Sequence, residues 1–305
     1  MNSRVSVIIP AHNPREDYLR LVLDALRRQT LPLSQWDLIV VDNRSSPALT
    51  ERLDLGWHPA AEVVREERIG LTHARVAGFA QARGELIVLV DDDNVLAPDY
   101  LEQANKISVD FPLLGSWGGQ VELALEDPTS PPPPRLRYLL CERTAQTLVW
   151  SNDPSHIAST PWGAGMCVRR PVADAYIEVI RANPRRLKLD LQGGKLAYGG
   201  DTDIAYVGCE MGLGMGVFPQ LKLAHLIPRR RCTTEYLLES LQAHAYSEVL
   251  HHWVLTGVIP KERRDWRGRI GAWLRWLAAD RLGRSMIRAG RRGRTLGRTE
   301  LESER

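Results

Sequence analysis

Three consecutive carboxylates, Asp91-Asp92-Asp93, close the apolar run Leu86-Ile-Val-Leu-Val90. Adjacent carboxylates repel one another unless water or a cation neutralises them. A hard divalent ion such as Mg2+ or Mn2+ takes oxygen ligands, often one or two carboxylates plus the oxygens of a bound diphosphate. A solvated acidic turn is the competing reading of the same residues. Asp42 ends the run Asp37-Leu-Ile-Val-Val41 in the same way. It can accept hydrogen bonds from the N–H of a uracil-type base or from ribose hydroxyls, or cap the turn Asp-Asn-Arg-Ser-Ser. Pro10-Ala-His-Asn13 closes a third run and can add backbone contacts to a base, although His12 alone reads as a structural histidine. Asp201, in Gly199-Gly-Asp-Thr-Asp203, opens a helical pattern. It can act as a general base toward an attacking hydroxyl, or simply cap the helix together with Asp203. His225 follows the run Pro219 to Ala224 and becomes a ligand candidate only where a metal is already required.

The elements that must carry these groups alternate strand and helix. Val5-Ser-Val-Ile-Ile9, Asp37–Val41, Ala61–Val64 and Leu86–Val90 read as strands. Residues 14–29 place Leu19, Val22, Leu23 and Leu26 at helical spacing behind Asn13 as N-cap and Pro14 as first residue. Residues 72–83 read as a second helix with Gly84 past its end. Continuous apolar strands separated by amphipathic helices predict an α/β fold, a mostly parallel sheet with helices on both faces. Ligands of such sheets bind at the carboxyl ends of the strands, where the clusters at 10–13, 42–46 and 91–94 fall. The second half is less regular. Asp127–Pro134 reads as a stiff proline-rich linker, Trp162-Gly-Ala-Gly165 as a small-residue loop, and 234–256 and 266–289 as C-terminal helices.

The chain has 305 residues, 44% hydrophobic and 25% charged, enough to bury a core without staples. Its four cysteines, Cys141, Cys167, Cys209 and Cys232, form no CxxC pair and fit reduced thiols better than a zinc site or a disulfide framework. No signal-peptide pattern and no transmembrane stretch is expected, which points to the cytoplasm. Residues 261–305 carry 14 Lys+Arg against 6 Asp+Glu, a net of +8, which leaves −5 for residues 1–260 out of the total of +3.

The order of these features resembles family 2 glycosyltransferases with the GT-A fold. Val-Ser-Val-Ile-Ile-Pro-Ala-His-Asn, Leu-Ile-Val-Val-Asp-Asn-Arg-Ser-Ser, the 84–98 segment with its DXD-like Asp91 and Asp93, and Gly-Gly-Asp-Thr-Asp-Ile are similar to four family motifs in the family's order, over residues 5–230. The resemblance implies a Rossmann-like GT-A domain over 1–230, with nucleotide-sugar binding in 1–115 and the acceptor and catalytic part in 116–230. A helical extension over 231–290 and a basic, disordered tail over 291–305 would complete the chain. It implies a non-processive, inverting transferase that moves a sugar from a UDP-, GDP- or dTDP-sugar to a sugar or lipid-linked acceptor, in bacterial surface-polysaccharide or glycoconjugate assembly. It assigns the base to Asp201 and Mn2+ or Mg2+ to Asp91, Asp93 and His225. Donor contacts fall to Pro10, Ala11, His12, Asn13, Asp42, Arg75, Asp91 and Asp92. Acceptor contacts fall to Trp162, Gly163, Ala164, Gly165 and Asp203. Two departures stand out. His12-Asn13-Pro14 replaces the usual Tyr/Phe-Asn-Glu, and Gly200 stands where the family usually has Glu.

The C-terminal third adds a candidate surface. Residues 266–289 combine Trp266, Ile270, Trp273, Leu274, Trp276 and Leu277 with Arg267, Arg269, Arg275, Arg281 and Arg284. The pattern fits either an interfacial contact through 266–294 on the inner face of the cell membrane or a helix docked on the core. No aromatic-basic surface argues for nucleic acid. Two rival functions compete for the same residues. A sugar-phosphate nucleotidyltransferase would need a glycine-rich loop where Pro10-Ala-His-Asn-Pro14 stands. A non-catalytic nucleotide-sugar binding protein would tolerate Gly200. A dinucleotide dehydrogenase lacks its GxGxxG after the first strand.

Overall fold

The strands meet in one sheet whose order explains why separate motifs converge. A computed structural model describes residues 4–190, 197–261, 274 and 276–303. Strands β1 (Val5–Ala11), β2 (Trp36–Asp42), β3 (Ala61–Arg65) and β4 (Leu86–Leu89) lie parallel in the order β3-β2-β1-β4. Beyond β4 the sheet is mixed. Strand β8 (Cys167–Arg169) runs antiparallel to β4 and to β6 (Leu114–Leu125), which is parallel to β9 (Gly214–Ile227). Short β5 (Asn94–Leu96) and β7 (Val149–Ser151) add to β9 antiparallel.

Successive strand residues point to opposite faces, so a strand buried on both sides is apolar throughout. Val5, Val7 and Ile9 face one core with Leu19, Val22 and Leu26 of α1 (Glu16–Arg27) and Leu101, Ala104 and Ile107 of α3 (Tyr100–Asp110). Ile8 faces the other, with Phe79 of α2 (Leu71–Gln81), Tyr176 of α4 (Arg170–Ala182) and Ile204 of α5 (Gly200–Glu210). Helices thus cover both faces, as the apolar runs predict.

Several local expectations change. Helix α1 begins at Glu16 rather than Pro14, and Asn13 does not cap it. Asn13 takes a left-handed φ of 47° and its Oδ1 accepts from the Ser46 N–H at 2.9 Å, which ties the loop after β1 to the loop after β2. Gly84 is no helix cap, because α2 has ended at Gln81; a Cβ there would lie 2.4 Å from the Arg4 carbonyl oxygen. Helix α6 (Thr234–Thr256) matches its predicted bounds, capped by the Thr233 hydroxyl and ended by Gly257 at φ 68°. The continuous helix expected over 266–289 is interrupted. Residues 266–273 and 275 lie outside the described residues, and the backbone leaves helical form at Ala279 and Asp280. The Asp280 carboxylate then accepts from the Gly283 N–H at 2.7 Å at the start of α7 (Arg281–Ser303).

The tail expected to be disordered is therefore mostly helix. Glycines make this possible: Gly293 packs so tightly on α6 that a Cβ would fall 2.0 Å from the Gln242 carbonyl oxygen, and one at Gly297 would lie 3.0 Å from Val249 Cβ. Leu301 joins Val249, Leu250 and Trp253 of α6 in a satellite core that also holds Leu189, from the 3-10 turn Pro184–Leu189. The C-terminal helix pair is thus anchored to a segment that borders the strand ends. All four cysteines are free thiols.

Candidate active site

The acidic triplet sits in the turn between β4 and β5, held by Asn94. That side chain is fully buried and donates to Asp93 Oδ1 at 3.0 Å, while its N–H donates to the Asp91 carbonyl at 3.0 Å. The pairing of β5 with β9 puts Asn94 opposite His225, which brings the imidazole beside Asp93. His225 Nδ1 lies 2.9 Å from the Leu140 carbonyl oxygen and Nε2 lies 3.2 Å from Asp93 Oδ2. A carbonyl cannot donate, so Nδ1 carries the proton in the first contact. A proton or a cation must then separate the Nε2 lone pair from the Asp93 carboxylate. Arg231, from the 3-10 turn Arg229–Cys232, donates to the same oxygen at 3.0 Å.

Charges in this corner are unbalanced. Burial, then the neighbouring Asp93 and Asp91 charges, push Asp92 up to about 8. Burial also raises Asp91, with the Arg75 guanidinium opposing it. For Asp93 burial acts upward too, yet His225 and Arg231 together hold it below the usual carboxylate range. Excess buried negative charge around one imidazole is the donor chemistry of a hard divalent cation. Among the described residues no three His, Cys, Asp or Glu side chains close into a cage. An ion that keeps substrate oxygens and waters in its shell does not need one. The residues therefore fit such an ion.

Asp201 stands in the first turn of α5. Its Oδ2 accepts from the Gly163 N–H at 2.7 Å and its Oδ1 from the Thr202 N–H at 2.8 Å. Asp91 and Asp201 act on one another electrostatically, and both act on Cys141 and Arg75. The triplet and Asp201 thus share one site, although they lie more than a hundred residues apart in the chain. The ring of Trp162 is half-buried next to Gly163, with the Arg143 guanidinium 3.7 Å above it.

Other expected contacts are placed differently. Asp42 is 1% exposed, and its oxygens accept from the Ser45 N–H (2.8 Å), the Leu49 N–H (2.9 Å) and Arg65 Nη1 (2.7 Å). Burial alone would raise it, but these donors hold it below the usual range. In this arrangement it braces the 42–49 loop and offers no surface to a base. Arg75 is 4% exposed and donates to Asp190 Oδ2 at 2.9 Å. Asp203 is fully buried, paired with Arg186 at 2.7 Å, and burial pushes it up to about 7. Pro10, Ala11, Ala164 and Gly165 are buried and shape the walls; Gly165 turns at φ 71° under the Tyr100 hydroxyl, which donates to its carbonyl. His12 and Asn13 are exposed at the strand end, with His12 Nδ1 2.6 Å from the Asn43 carbonyl oxygen.

Sequence reading missed Arg231, Cys141, Arg143 and Asp190. Only Arg231 left a signal: it ends the run Arg229-Arg-Arg231, six residues past His225. The others come from segments without a motif.

Comparison with known proteins sharpens this picture. Residues 6–112 match the family model described as glycosyl transferase family 2. A putative glycosyltransferase, EpsH, from Bacillus subtilis is 34% identical over 105 residues, which cover 32% of this chain and 28% of that protein. A poly(ribitol-phosphate) beta-glucosyltransferase from Bacillus spizizenii is 30% identical over 102 residues, 32% of this chain and 16% of that one. The matches thus span less than a third of either relative's length. By structure, S. aureus TarS 1–349 is similar over 98% of this chain and 92% of its own, with a TM-score of 0.50 at 14% identity. GalNAc-T7, solved with UDP, GalNAc and Mn2+, is similar over 81% of this chain and 48% of its own, with a TM-score of 0.52 at 17% identity. At such identities the likeness is one of fold.

Proposed function

We propose, on the match of residues 6–112 to glycosyl transferase family 2, that the chain is a metal-dependent, inverting transferase of that family that moves a sugar from a nucleoside diphosphate onto an acceptor hydroxyl. One observation carries the reading: Asp91, next to the Asp93–His225 pair, lies near enough to Asp201 for the two carboxylates to act on one another electrostatically. Asp91, Asp93 and His225 would hold a divalent ion, Mn2+ or Mg2+. Bound there, the ion supplies Lewis-acid stabilisation of negative charge on the departing diphosphate. GalNAc-T7, of similar fold, was solved with UDP and Mn2+.

The chain's own groups do the rest. Asp201 accepts the proton of the acceptor hydroxyl as its oxygen bonds to the anomeric carbon. The bond from that carbon to the diphosphate oxygen breaks, and its electron pair leaves with the diphosphate. Attack opposite the leaving group inverts the anomeric centre, as in inverting glycosidases, whose two assisting groups face each other across the sugar. The two backbone N–H groups on Asp201 fix its orientation, and Arg231 offers a fixed positive charge beside the diphosphate. Loop 10–13 and loop 42–46, tied together by Asn13, would frame the base. Trp162, stacked by Arg143, would present an apolar face to an acceptor sugar.

Among the described residues no helix is long and apolar enough to cross a membrane. Arg281, Arg288, Arg291, Arg292 and Arg294 are exposed on α7. They would meet the anionic face of a membrane carrying a lipid-linked acceptor. The decisive experiment mixes the protein with nucleotide sugars, Mn2+ and candidate acceptors. Release of nucleoside diphosphate with a glycosylated acceptor supports the proposal. Pyrophosphate released from a nucleoside triphosphate, or tight binding without turnover, overturns it.

A further inference from the structure

Position 200 opens α5 next to Asp201, and its lack of a side chain has a steric cause. A Cβ at Gly200 would fall 2.4 Å from Asp190 Oδ2, 2.9 Å from Asp190 Cγ and 3.3 Å from Arg75 Nη1. The carboxyl of Asp190, from the end of the Pro184–Leu189 turn, already fills that space. It is 6% exposed, pairs with Arg75 at 2.9 Å and lies 3.3 Å from the Thr72 hydroxyl.

Gly163 shows the same constraint from the other side. A Cβ there would lie 2.7 Å from Arg75 Nη2 and 3.5 Å from Asp201 Oδ2. The Arg75 guanidinium is therefore flush against the residue whose N–H holds the Asp201 carboxylate. A buried cation of this kind needs a counter-charge. Besides Asp190, the carboxylates acting on Arg75 are Asp91 and Asp201.

We propose that Asp190 takes the place of a side-chain carboxylate at position 200 and, by satisfying Arg75, positions Asp201 and its Gly163 donor for proton transfer. Without Asp190, Arg75 turns to the two remaining carboxylates and draws the base away from the acceptor. The inference rests on the transferase reading, but its first half concerns only which carboxylate satisfies Arg75.

The test is a swap in the full-length protein. Asp190→Ala, with Asp190→Asn as the closer isostere, should lower the thermal midpoint by roughly 5–10 °C. It should lower kcat at least about tenfold while KM for the donor changes less than about threefold. Gly200→Glu alone should also be destabilised, since its Cβ meets Asp190. Asp190→Ala combined with Gly200→Glu, or with Gly200→Asp, should recover both the midpoint and kcat. Wild-type kcat in both Asp190 variants overturns the proposal. So does a midpoint that neither double variant restores, or one restored without kcat, which would leave the pair a purely structural one. A wild-type chain that transfers no sugar would defeat the transferase reading, while the midpoint cycle would still report whether position 200 and Asp190 exchange.

Discussion

Replacing Asp201 by asparagine removes a charge while keeping a shape, and it should act on both catalysis and stability. If Asp201 is the base, transfer loses the contribution of a positioned proton acceptor, about 10²–10⁴-fold, or about 2.7–5.5 kcal/mol of barrier. A second effect comes from the hydrogen bonds. One oxygen accepts from the Gly163 N–H and the other from the Thr202 N–H. A carboxamide has a single acceptor oxygen, so whichever way it turns its NH2 faces a backbone donor. One bond is lost and two donors oppose each other, costing about 1–3 kcal/mol if the site stays dry. Asp201 is half-buried, so water relieves part of this and the thermal midpoint should fall by only a few degrees. The assay follows nucleoside diphosphate release for kcat and calorimetry for donor affinity with Mn2+ present. Expected are a kcat at least about a hundredfold down, donor affinity within about threefold of wild type, and a small midpoint shift. A variant that retains more than about a tenth of wild-type kcat removes Asp201 from the role of base.

Three further expectations rest on the same geometry. Asp93→Ala takes away the carboxylate shared by His225 and Arg231; calorimetry should show donor binding that no longer responds to Mn2+, whereas an unchanged Mn2+ dependence would place the ion elsewhere. Asp42 has a carboxyl held below its ordinary value of 3.8 by two backbone donors and Arg65. A lowered folded value means stability present above the unfolded value and lost as pH falls through the folded one, so Asp42→Asn should flatten the acid limb of a midpoint-against-pH curve, and an identical limb would refute this. Gly293→Leu forces a side chain into the Gln242 carbonyl; limited proteolysis should then release the C-terminal helix, and wild-type resistance would contradict the tight α6–α7 contact.

How much was legible depends on the range over which each signal acts. The parallel strands could be read because burial on both faces demands unbroken apolar runs, and each run stopped at a polar cluster that the sheet order then gathered. Asp91, Asp93 and Asp201 could be singled out as candidates for that reason. Asp42 is harder to read, because a carboxylate at a strand end looks the same in sequence whether it accepts from a ligand or from the N–H groups of its own loop. The partners of Arg75 and Asp203 were not legible, since Asp190 and Arg186 lie in a stretch without periodicity or motif. The helical tail was hidden for another reason. Glycine is a poor helix former, and the arginines between the glycines leave few apolar side chains to mark a buried face. Residues 291–303 therefore read as disordered, although the same glycines allow the close helix contact that orders them.

The two sides of the proposed site are built by different means, and this bears on where specificity would reside. The proposed donor side rests on strand register: β5 pairs with β9, which sets Asn94, next to Asp93, opposite His225. A one-residue slip there would turn every side chain of β5 to the other face, so this wall can change little without losing the sheet. The opposite side is made by long-range side-chain ties, Asp190 to Arg75 and Arg186 to Asp203, and by a helix pair docked through Leu189, Trp253 and Leu301. Ties of that kind can be exchanged for others of equal charge and volume without disturbing a strand. Trp162 and Arg143 belong to the same irregular half. Acceptor preference should therefore track substitutions in residues 141–163 and 184–256, while changes in donor preference should require residues at the ends of the parallel strands. A chimera that exchanges the C-terminal half with a relative and keeps its donor while adopting the other acceptor would bear this division out; one that switches donor would refute it.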